Sequence, residues 1–241
     1  MSIREQFVVE VAERYGRVAG PELLPLVLVE VCAKVLSVDG AGLSLTGELR
    51  VPMAASNHLA ARAERLQSTL GDGPCLAAAA DATPLVAETG VIGNRWPMFH
   101  RELTSQTPFR SVASIPLREP RRSVFGALDL YSTAPDAVQL HSIAADSTAL
   151  ADQIAVTLLA APSVDEDGDL AYTWMSAAAA AARRNVWIAI GMLLAHSRRL
   201  NNHDALSILR GYALTHHTSL DDLADDITER RIAPDDILHK G

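Results

Sequence analysis

The sequence predicts an α+β domain followed by an all-α unit, in a chain of 241 residues that has room for one large or two small domains. Residues 111–132 hold two apolar stretches that alternate at period two, which is typical of neighbouring β-strands. From residue 172 onward, the apolar residues recur at helical spacing instead. Between these parts, residues 162–171 hold four acidic residues and no basic one, so we expect a linker there.

The elements of the N-terminal part, residues 1–161, follow from local patterns. Pro25 suits the first turn of a helix, and Gly71 ends one. Along 111–117, Ser114 is expected on one face of its strand and Ile115 on the other. In chain order we expect helix 22–37, strands 41–47 and 49–56 around a turn at Gly47-Glu48, helix 61–70, strand 83–88, helix 95–106, strands 111–119 and 123–132 across Pro120-Arg121-Arg122, and helix 136–160. These elements predict an antiparallel sheet with helices to one side.

The C-terminal part, residues 172–241, predicts three helices. Six consecutive alanines favour a long first helix over 172–197. Its second half is apolar almost all round, so following helices or a second chain must cover it. A second helix is expected over 201–217, with Leu206, Leu209 and Ala213 in the core. A third is expected over 219–230, where apolar residues follow the i, i+3, i+4, i+7 pattern.

The charge balance restricts the classes of partner. The chain has 21 basic and 29 acidic residues, a formal net charge of −8, which argues against nucleic acid bound over the whole surface. The net charge is −4 over residues 1–161, −4 over 162–171 and zero over 172–241. The C-terminal part is therefore the least acidic, and a local basic patch there is compatible with the composition.

No motif in the sequence predicts catalysis, a metal site or a cofactor. Cys32 and Cys75 do not form a CxxC pair, and the histidines lack ligand spacing. Cys75 follows a GDGP turn, where it is either a redox or covalent site or a small buried hydrophobe. The N-terminus does not resemble a signal peptide, and no apolar run is long enough for a membrane span. We expect a cytoplasmic protein that is not an enzyme.

The N-terminal part resembles the GAF domain, a small-molecule sensor module. The resemblance rests on a helix followed by the hairpin AGLSLTG/LRVPMAAS, then LGDGPCLAAAADATPLVAE, then SVASIPLRE and FGALDLYS, and it covers about residues 20–161. It implies that this domain receives a signal from a small ligand or a protein partner.

The C-terminal part resembles the ANTAR domain, named for transcription antitermination regulators. The match runs from Arg183 to about Ile232. It rests on Arg184 and Ala189-x-Gly191-x-Leu193, on Asp204-Ala205-x-x-x-Leu209-Arg210-x-x-Ala213, and on Leu220-x-x-Leu223-Ala224-x-x-Ile227. The resemblance implies a three-helix module that binds tandem stem-loops in nascent RNA and favours antitermination.

The arginines of this module are the candidates for RNA contact. The set is Arg183, Arg184, Arg198, Arg199 and Arg210. Any one of them is equally well explained as a solvated helix arginine or a partner for the acids. Ile190 stands where the family frequently has lysine, which removes a charge from a plausible contact position. The third helix carries four aspartates that repel phosphate, so RNA would approach the first two helices.

Two other functions stay open. A helix-turn-helix DNA regulator would have to place the aspartate-rich third helix in the major groove, which is electrostatically unfavourable. A protein-interaction or dimerisation module that has lost RNA binding would fit Ile190 and the zero net charge of the C-terminal part. A homodimer fits the apolar first helix, and two linked RNA sites gain effective concentration.

Overall fold

The structure is a computed structural model. It describes residues 1–17, 20–47, 49–119, 123–160, 162–164, 170–172, 174, 178–197 and 199–240. Of the predicted features, Glu48 and the Pro120-Arg121-Arg122 turn lie outside these residues. Within them, no helix combines the length and the apolar character needed to cross a membrane.

The helices and strands are defined as follows. The helices are α1 (Ile3–Tyr15), α2 (Leu24–Leu36), α3 (His58–Leu70), α4 (Pro74–Asp81), α5 (Thr89–Arg95), α6 (Pro97–Gln106), α7 (Val138–Ser142), α8 (Ala144–Leu159), α9 (Ala178–His196), α10 (Asn202–Thr215), α11 (Leu220–Thr228) and α12 (Pro234–Lys240), with a 3₁₀ turn at Pro21–Leu23. The strands are β1 (Gly40–Leu45), β2 (Val51–Ala55), β3 (Leu85–Ala87), β4 (Ser111–Arg118), β5 (Val124–Ser132), β6 (Pro162–Val164) and β7 (Leu170–Tyr172).

Five strands form one antiparallel sheet in the order β2-β1-β5-β4-β3. This confirms the predicted α+β class and the antiparallel pairing of the two apolar stretches. In the β4–β5 register, Ser114 lies opposite Asp129 and Ile115 lies opposite Leu128. The alternation therefore gives the sheet one apolar face and one face that carries polar side chains.

Helices cover both faces of this sheet, so the expectation of helices to one side is wrong. The apolar face packs against α2 and α8 in a core that includes Leu28, Leu43, Leu128, Leu130 and Ile154. The other face is covered by α3, α4 and α6, and there Phe99 and Leu103 of α6 pack in one apolar cluster with Phe109 and Tyr131. The second layer forms because the polar side chains of that face find partners on α3 and α4.

Several elements differ from the sequence-based expectation. The helix α1 was not expected, and it begins at a capping box formed by Ser2 and Glu5. The helix α4 starts at Pro74, directly after the GDGP turn, because proline suits the first helical position. The helix α5 was not expected, and Trp96 separates it from α6, which corresponds to the helix expected over 95–106. Ile143 separates α7 from α8, where a single helix over 136–160 was expected. The helix α12 was also not expected.

The linker segment and the first C-terminal helix differ from the prediction as well. Strands β6 and β7 pair with each other, so Tyr172 belongs to a strand and the helix expected from residue 172 begins at Ala178. Residues 165–169 lie outside the described part of the chain. The helices α9–α12 share an apolar core, and Leu206, Leu209 and Ala213 lie in it as expected.

Candidate functional site

A cluster of polar side chains is buried between the sheet and α3. Asp129 and Tyr131 extend from β5, and Glu64 and Gln67 lie three residues apart on α3. We call the buried polar cluster the following residues, each at most 1% exposed: Ser44, Arg50, Glu64, Gln67, Ser68, Cys75, Ser114, Asp129 and Tyr131. The sheet leaves room for α3 at Gly42, where an added Cβ would lie 2.2 Å from the Glu64 carboxyl group.

Arg50 is at the centre of the cluster. Its guanidinium group donates to Asp129 Oδ2 at 2.9 Å, to the backbone carbonyl of Glu64 at 2.7 Å and to the Glu64 carboxyl group. It also donates to Ser68 Oγ at 3.2 Å and to Cys75 Sγ at 3.1 Å. This set of partners compensates a buried positive charge, which would otherwise be strongly destabilising.

Gln67 and Tyr131 join the remaining groups into one network. Gln67 donates to Asp129 Oδ2 at 3.0 Å and to the Tyr131 hydroxyl at 3.1 Å. The Tyr131 hydroxyl donates to Glu64 Oε1 at 2.6 Å. Gln67 Oε1 accepts the backbone N–H of Cys75 at 2.9 Å, which ties the start of α4 to α3. The network therefore fixes α3 and α4 against the polar face of the sheet.

Burial changes the protonation of Glu64. Desolvation raises the pKa of its carboxyl group to about 8, the Arg50 guanidinium opposes this rise, and Asp129 adds to it. The buried site therefore favours the protonated, neutral form of Glu64.

Cys75 takes part in the cluster as a hydrogen-bond acceptor. Burial raises the pKa of its thiol to about 12, and the thiolate is the reactive form of cysteine. The thiol is therefore protonated and a poor nucleophile, which disfavours a redox or covalent role. It is also more than a small hydrophobe, since its sulfur accepts the Arg50 Nε–H.

The C-terminal helices dock on the N-terminal part along β2 and α3. Leu49 is 5% exposed and belongs to the apolar core of α9–α12, whereas its neighbour Arg50 belongs to the buried polar cluster. Two adjacent residues are thus anchored in the two parts of the molecule. We call the contact surface of β2 and α3 with the C-terminal helices the junction.

Arg210 of α10 lies at the junction against Gly71, which ends α3 in the left-handed region at φ +67°. An added Cβ at Gly71 would lie 2.4 Å from the Arg210 guanidinium group. Burial lowers the pKa of Arg210, and its Nε has no hydrogen-bond partner among the described residues. At the start of α11, the Leu220 N–H donates to Thr69 Oγ1 of α3 at 3.1 Å.

The described candidates for RNA contact differ in their surroundings. Arg184 is exposed on α9, Arg199 is exposed after the end of this helix, and Arg210 is half-buried at the junction. The side chain of Arg183 and all of Arg198 lie outside the described residues. Arg184 and Arg199 are therefore open to solvent, whereas Arg210 contacts the N-terminal part.

Ile190 is not at a contact position. Its side chain is 2% exposed and belongs to the apolar core of the C-terminal helices. The expectation that Ile190 removes a charge from an exposed RNA contact is therefore wrong. The sequence could not show this, because the segment around Ile190 is apolar on nearly every side of the helix.

The aspartates of α11 are only partly a solvated face. Asp225 accepts a hydrogen bond from Asn185 Nδ2 at 2.8 Å, which links α11 to α9. Asp226 pairs with Arg231 at 2.5 Å. Asp221, Asp222 and Asp225 line a cavity of about 320 Å³ against β2 and α3. The start of α11 is therefore turned toward the N-terminal part.

Comparisons with known proteins address the N-terminal part. The family model for the GAF domain matches residues 21–158, which is more than half of the chain. The match ends before α9, so the C-terminal helices lie outside it. No curated protein matches the chain.

Several solved structures are similar at low sequence identity. The GAF domain from a phosphoenolpyruvate-protein phosphotransferase of Coxiella burnetii is 14% identical, with a TM-score of 0.47, over 65% of this chain and 93% of that one. The GAF domain of A. aeolicus nlh2 in an inactive state is 12% identical, with a TM-score of 0.46, over 64% and 94%. A type II free methionine-R-sulfoxide reductase from Thermoplasma acidophilum is 16% identical, with a TM-score of 0.36, over 64% and 93%.

Proposed function

This chain belongs to the GAF domain family, and on that premise we propose that it is a signal-responsive regulator of transcription antitermination. GAF domains are typically signal-sensing regulatory domains. In the proposed function the N-terminal part receives a small ligand or protein partner, and the C-terminal helices bind tandem stem-loops in nascent RNA. The RNA-binding step rests on the resemblance of α9–α11 to the ANTAR domain.

The observation that carries this proposal is the pair Leu49 and Arg50. Arg50 is held by the buried polar cluster, and Leu49 is held by the core of the C-terminal helices. A change in the position of α3 or β5 that moves Arg50 therefore also moves Leu49. This covalent connection supplies a route by which a signal in the N-terminal part alters the C-terminal helices.

The junction also suggests how RNA binding is regulated. Arg184 and Arg199 are exposed in the docked arrangement, whereas Arg210 is held against Gly71. A signal that loosens the junction would release Arg210 and add a cationic contact for the RNA. A signal that tightens it would keep this contact away from the RNA. The two arrangements therefore differ in whether Arg210 can contact the RNA, and hence in their affinity for the RNA.

The test is RNA binding at several salt concentrations, with a transcript that carries two tandem stem-loops and a scrambled control. We expect the double variant Arg184→Gln/Arg199→Gln to bind at least about tenfold more weakly and to lose about two units of salt slope. The matched control is Arg4→Gln/Arg14→Gln, which removes two exposed arginines from α1 and should leave the affinity unchanged. Equal binding to the scrambled RNA, or no effect of the double variant, would contradict the proposal.

We further propose a homodimer formed through α9. Trp187 and Ile188 are 41% and 45% exposed on this helix, although both are large apolar side chains. Next to them, Ile190, Leu194 and Leu206 line a cavity of about 660 Å³. A second copy that covers this surface would place two RNA-binding units side by side, which matches a target with two stem-loops.

A helix-turn-helix function for α10 and α11 finds less support. The start of α11 faces β2 and α3, and Leu220 is bonded to Thr69 there. A recognition helix must enter the major groove with its N-terminal residues. In the docked arrangement this end of α11 faces the N-terminal part, and Asp221, Asp222 and Asp225 lie there.

A further inference from the structure

A cleft of about 550 Å³ lies between α3 and the turn that joins α10 to α11. One wall carries Arg62 and Arg65 of α3, and the opposite wall carries His217 and Thr218. The volume is in the range of small-molecule pockets, roughly 300–1,000 Å³. The cleft lies on the side of α3 that faces away from the sheet, so it is separate from the buried polar cluster.

The charges of the cleft are unequally paired. Arg62 and Arg65 are exposed, lie three residues apart on one face of α3, and form no hydrogen bond or ion pair with any residue that the structure describes. The two acidic residues of the cleft do have partners. Glu102 pairs with Arg101 at 3.0 Å and accepts from Gln106 at 3.1 Å, and Asp222 accepts from Ser219 at 2.6 Å. Arg101 compensates the charge of Glu102, whereas the neutral hydroxyl of Ser219 leaves the charge of Asp222 in place, so Arg62 and Arg65 give the cleft an excess of positive charge.

The cleft also has apolar parts. Leu66 and Leu70 of α3 and Leu214 of α10 form apolar parts of the walls. A guanidinium fork binds the oxygens of a phosphate or carboxylate in a bidentate manner. The cleft thus combines two unpaired guanidinium groups with an apolar surface that can contact the apolar part of an organic ligand.

We propose that this cleft binds a small organic anion that has an apolar body and a phosphate or carboxylate group. The inference rests on the proposed sensor function and assigns its ligand site to the junction. Because α3 forms one wall and the α10–α11 turn forms the other, the anion holds the C-terminal helices against the N-terminal part. Ligand binding thereby favours the arrangement in which Arg210 lies against Gly71.

The probe is phenyl phosphate, with phenol, benzoate and inorganic phosphate as comparison ligands, measured by titration calorimetry on the full chain without RNA. We expect phenyl phosphate to bind and phenol not to bind, and the benzoate arm distinguishes carboxylate from phosphate recognition. Arg62→Gln/Arg65→Gln should weaken binding at least about tenfold. Thr218→Glu, which adds a negative charge from the opposite wall, should have the same effect. Arg4→Gln/Arg14→Gln is the matched control and should leave binding unchanged.

Failure of the anion site can be distinguished from failure of the RNA function, because RNA binding is measured in a separate assay. Absence of binding to the wild type, equal binding to Arg62→Gln/Arg65→Gln, or binding of phenol as tight as that of phenyl phosphate would overturn the anion site. Retained binding in Thr218→Glu would overturn its location between two walls. If Arg62→Gln/Arg65→Gln instead weakens stem-loop binding without phenyl phosphate, the two arginines bind RNA and the cleft is not a ligand site.

Discussion

The buried polar cluster and the junction each contain an arginine, buried in the cluster and half-buried at the junction, but the two arginines are paired differently. In the cluster, Arg50 donates to Asp129, to Glu64 and to two further side chains. At the junction, Arg210 leaves its Nε without a partner among the described residues. A saturated network resists rearrangement, whereas an unsatisfied group lowers the cost of opening. We infer that the cluster holds the N-terminal part together and that the junction is the part that opens.

The largest effect is expected when the cluster loses Asp129. Asp129→Ala removes the buried side chain that accepts hydrogen bonds from Arg50, Gln67 and Ser114, and we expect a loss of about 3–5 kcal/mol in the free energy of unfolding. Urea denaturation followed by circular dichroism measures it. The control Glu30→Ala breaks the exposed pair of Arg14 and Glu30 and should cost less than about 1 kcal/mol. Similar costs for both variants would mean that the buried polar cluster stabilises the fold no more than an exposed ion pair does.

A second effect is a pH dependence of stability that comes from Glu64. Its pKa is about 8 in the folded chain and near the ordinary value of 4.5 in the unfolded chain, so between these values the folded state holds the extra proton. Stability contributed by this carboxyl group is therefore present below about pH 4.5 and is lost as the pH rises toward 8. Glu64→Gln keeps a neutral side chain, and relative to it the wild type should lose about 2 kcal/mol from pH 5 to pH 7.

The measurement for Glu64 is urea denaturation of both proteins across this pH range. Changes that both proteins share come from other groups and cancel in the difference. A constant difference between wild type and variant would mean that Glu64 does not hold its proton in the folded chain.

A smaller effect is expected at the junction. Gly71→Ala places a side chain at φ +67° and against Arg210, and should cost about 1–2 kcal/mol. The control Gly211→Ala adds a methyl group to α10 where no atom lies within 4 Å, and it should stabilise the chain by up to about 1 kcal/mol. In an Arg210→Ala background the cost of Gly71→Ala should shrink, as a double-mutant cycle will show. If the effects of Gly71→Ala and Arg210→Ala are purely additive, the side chain at position 71 does not contact Arg210.

The smallest effect on stability is expected on the exposed face of α9. Trp187→Glu should leave the circular dichroism spectrum of the chain unchanged and act on the association of two chains, because the indole is 41% exposed within one chain. In light scattering coupled to gel filtration, the wild type should have the mass of a dimer and the variant that of a monomer. Val8→Glu alters an equally exposed valine on α1 and should leave the dimer intact. If Val8→Glu gives a monomer and Trp187→Glu a dimer, the dimer forms through α1 and not through α9.

Much of the fold could be predicted from local patterns. The alternation along β4 and β5 predicted both strands and their two faces, since neighbouring side chains of a strand point to opposite sides. The pattern of Leu220 and Leu223 predicted α11. The helix α4 was not predicted, because the proline that begins it also suits a turn.

The candidate site could be predicted only in fragments. Asp129 is a charged residue among the apolar residues of its strand, and Glu64 and Gln67 share one face of α3. Each of these positions can therefore be recognised from its neighbours in the sequence. Their meeting with Arg50 joins residues 79 and 14 positions apart, which no local pattern reports. The candidate RNA contacts follow from their charge and from the resemblance to the ANTAR domain, and neither reveals the packing that directs Arg210 to the junction.

The sequence by itself determined the order of the elements, the antiparallel sheet and the core positions of α10 and α11, because each depends on the spacing of neighbouring residues. Only the tertiary structure decided that α10 and α11 dock on α3, that Ile190 is buried and that Arg62 and Arg65 face an open cleft. These features depend on contacts such as that of Thr69 with Leu220, which are 151 residues apart. Such contacts form because the folded chain must cover apolar surface and pair buried polar groups, whatever their separation along the sequence.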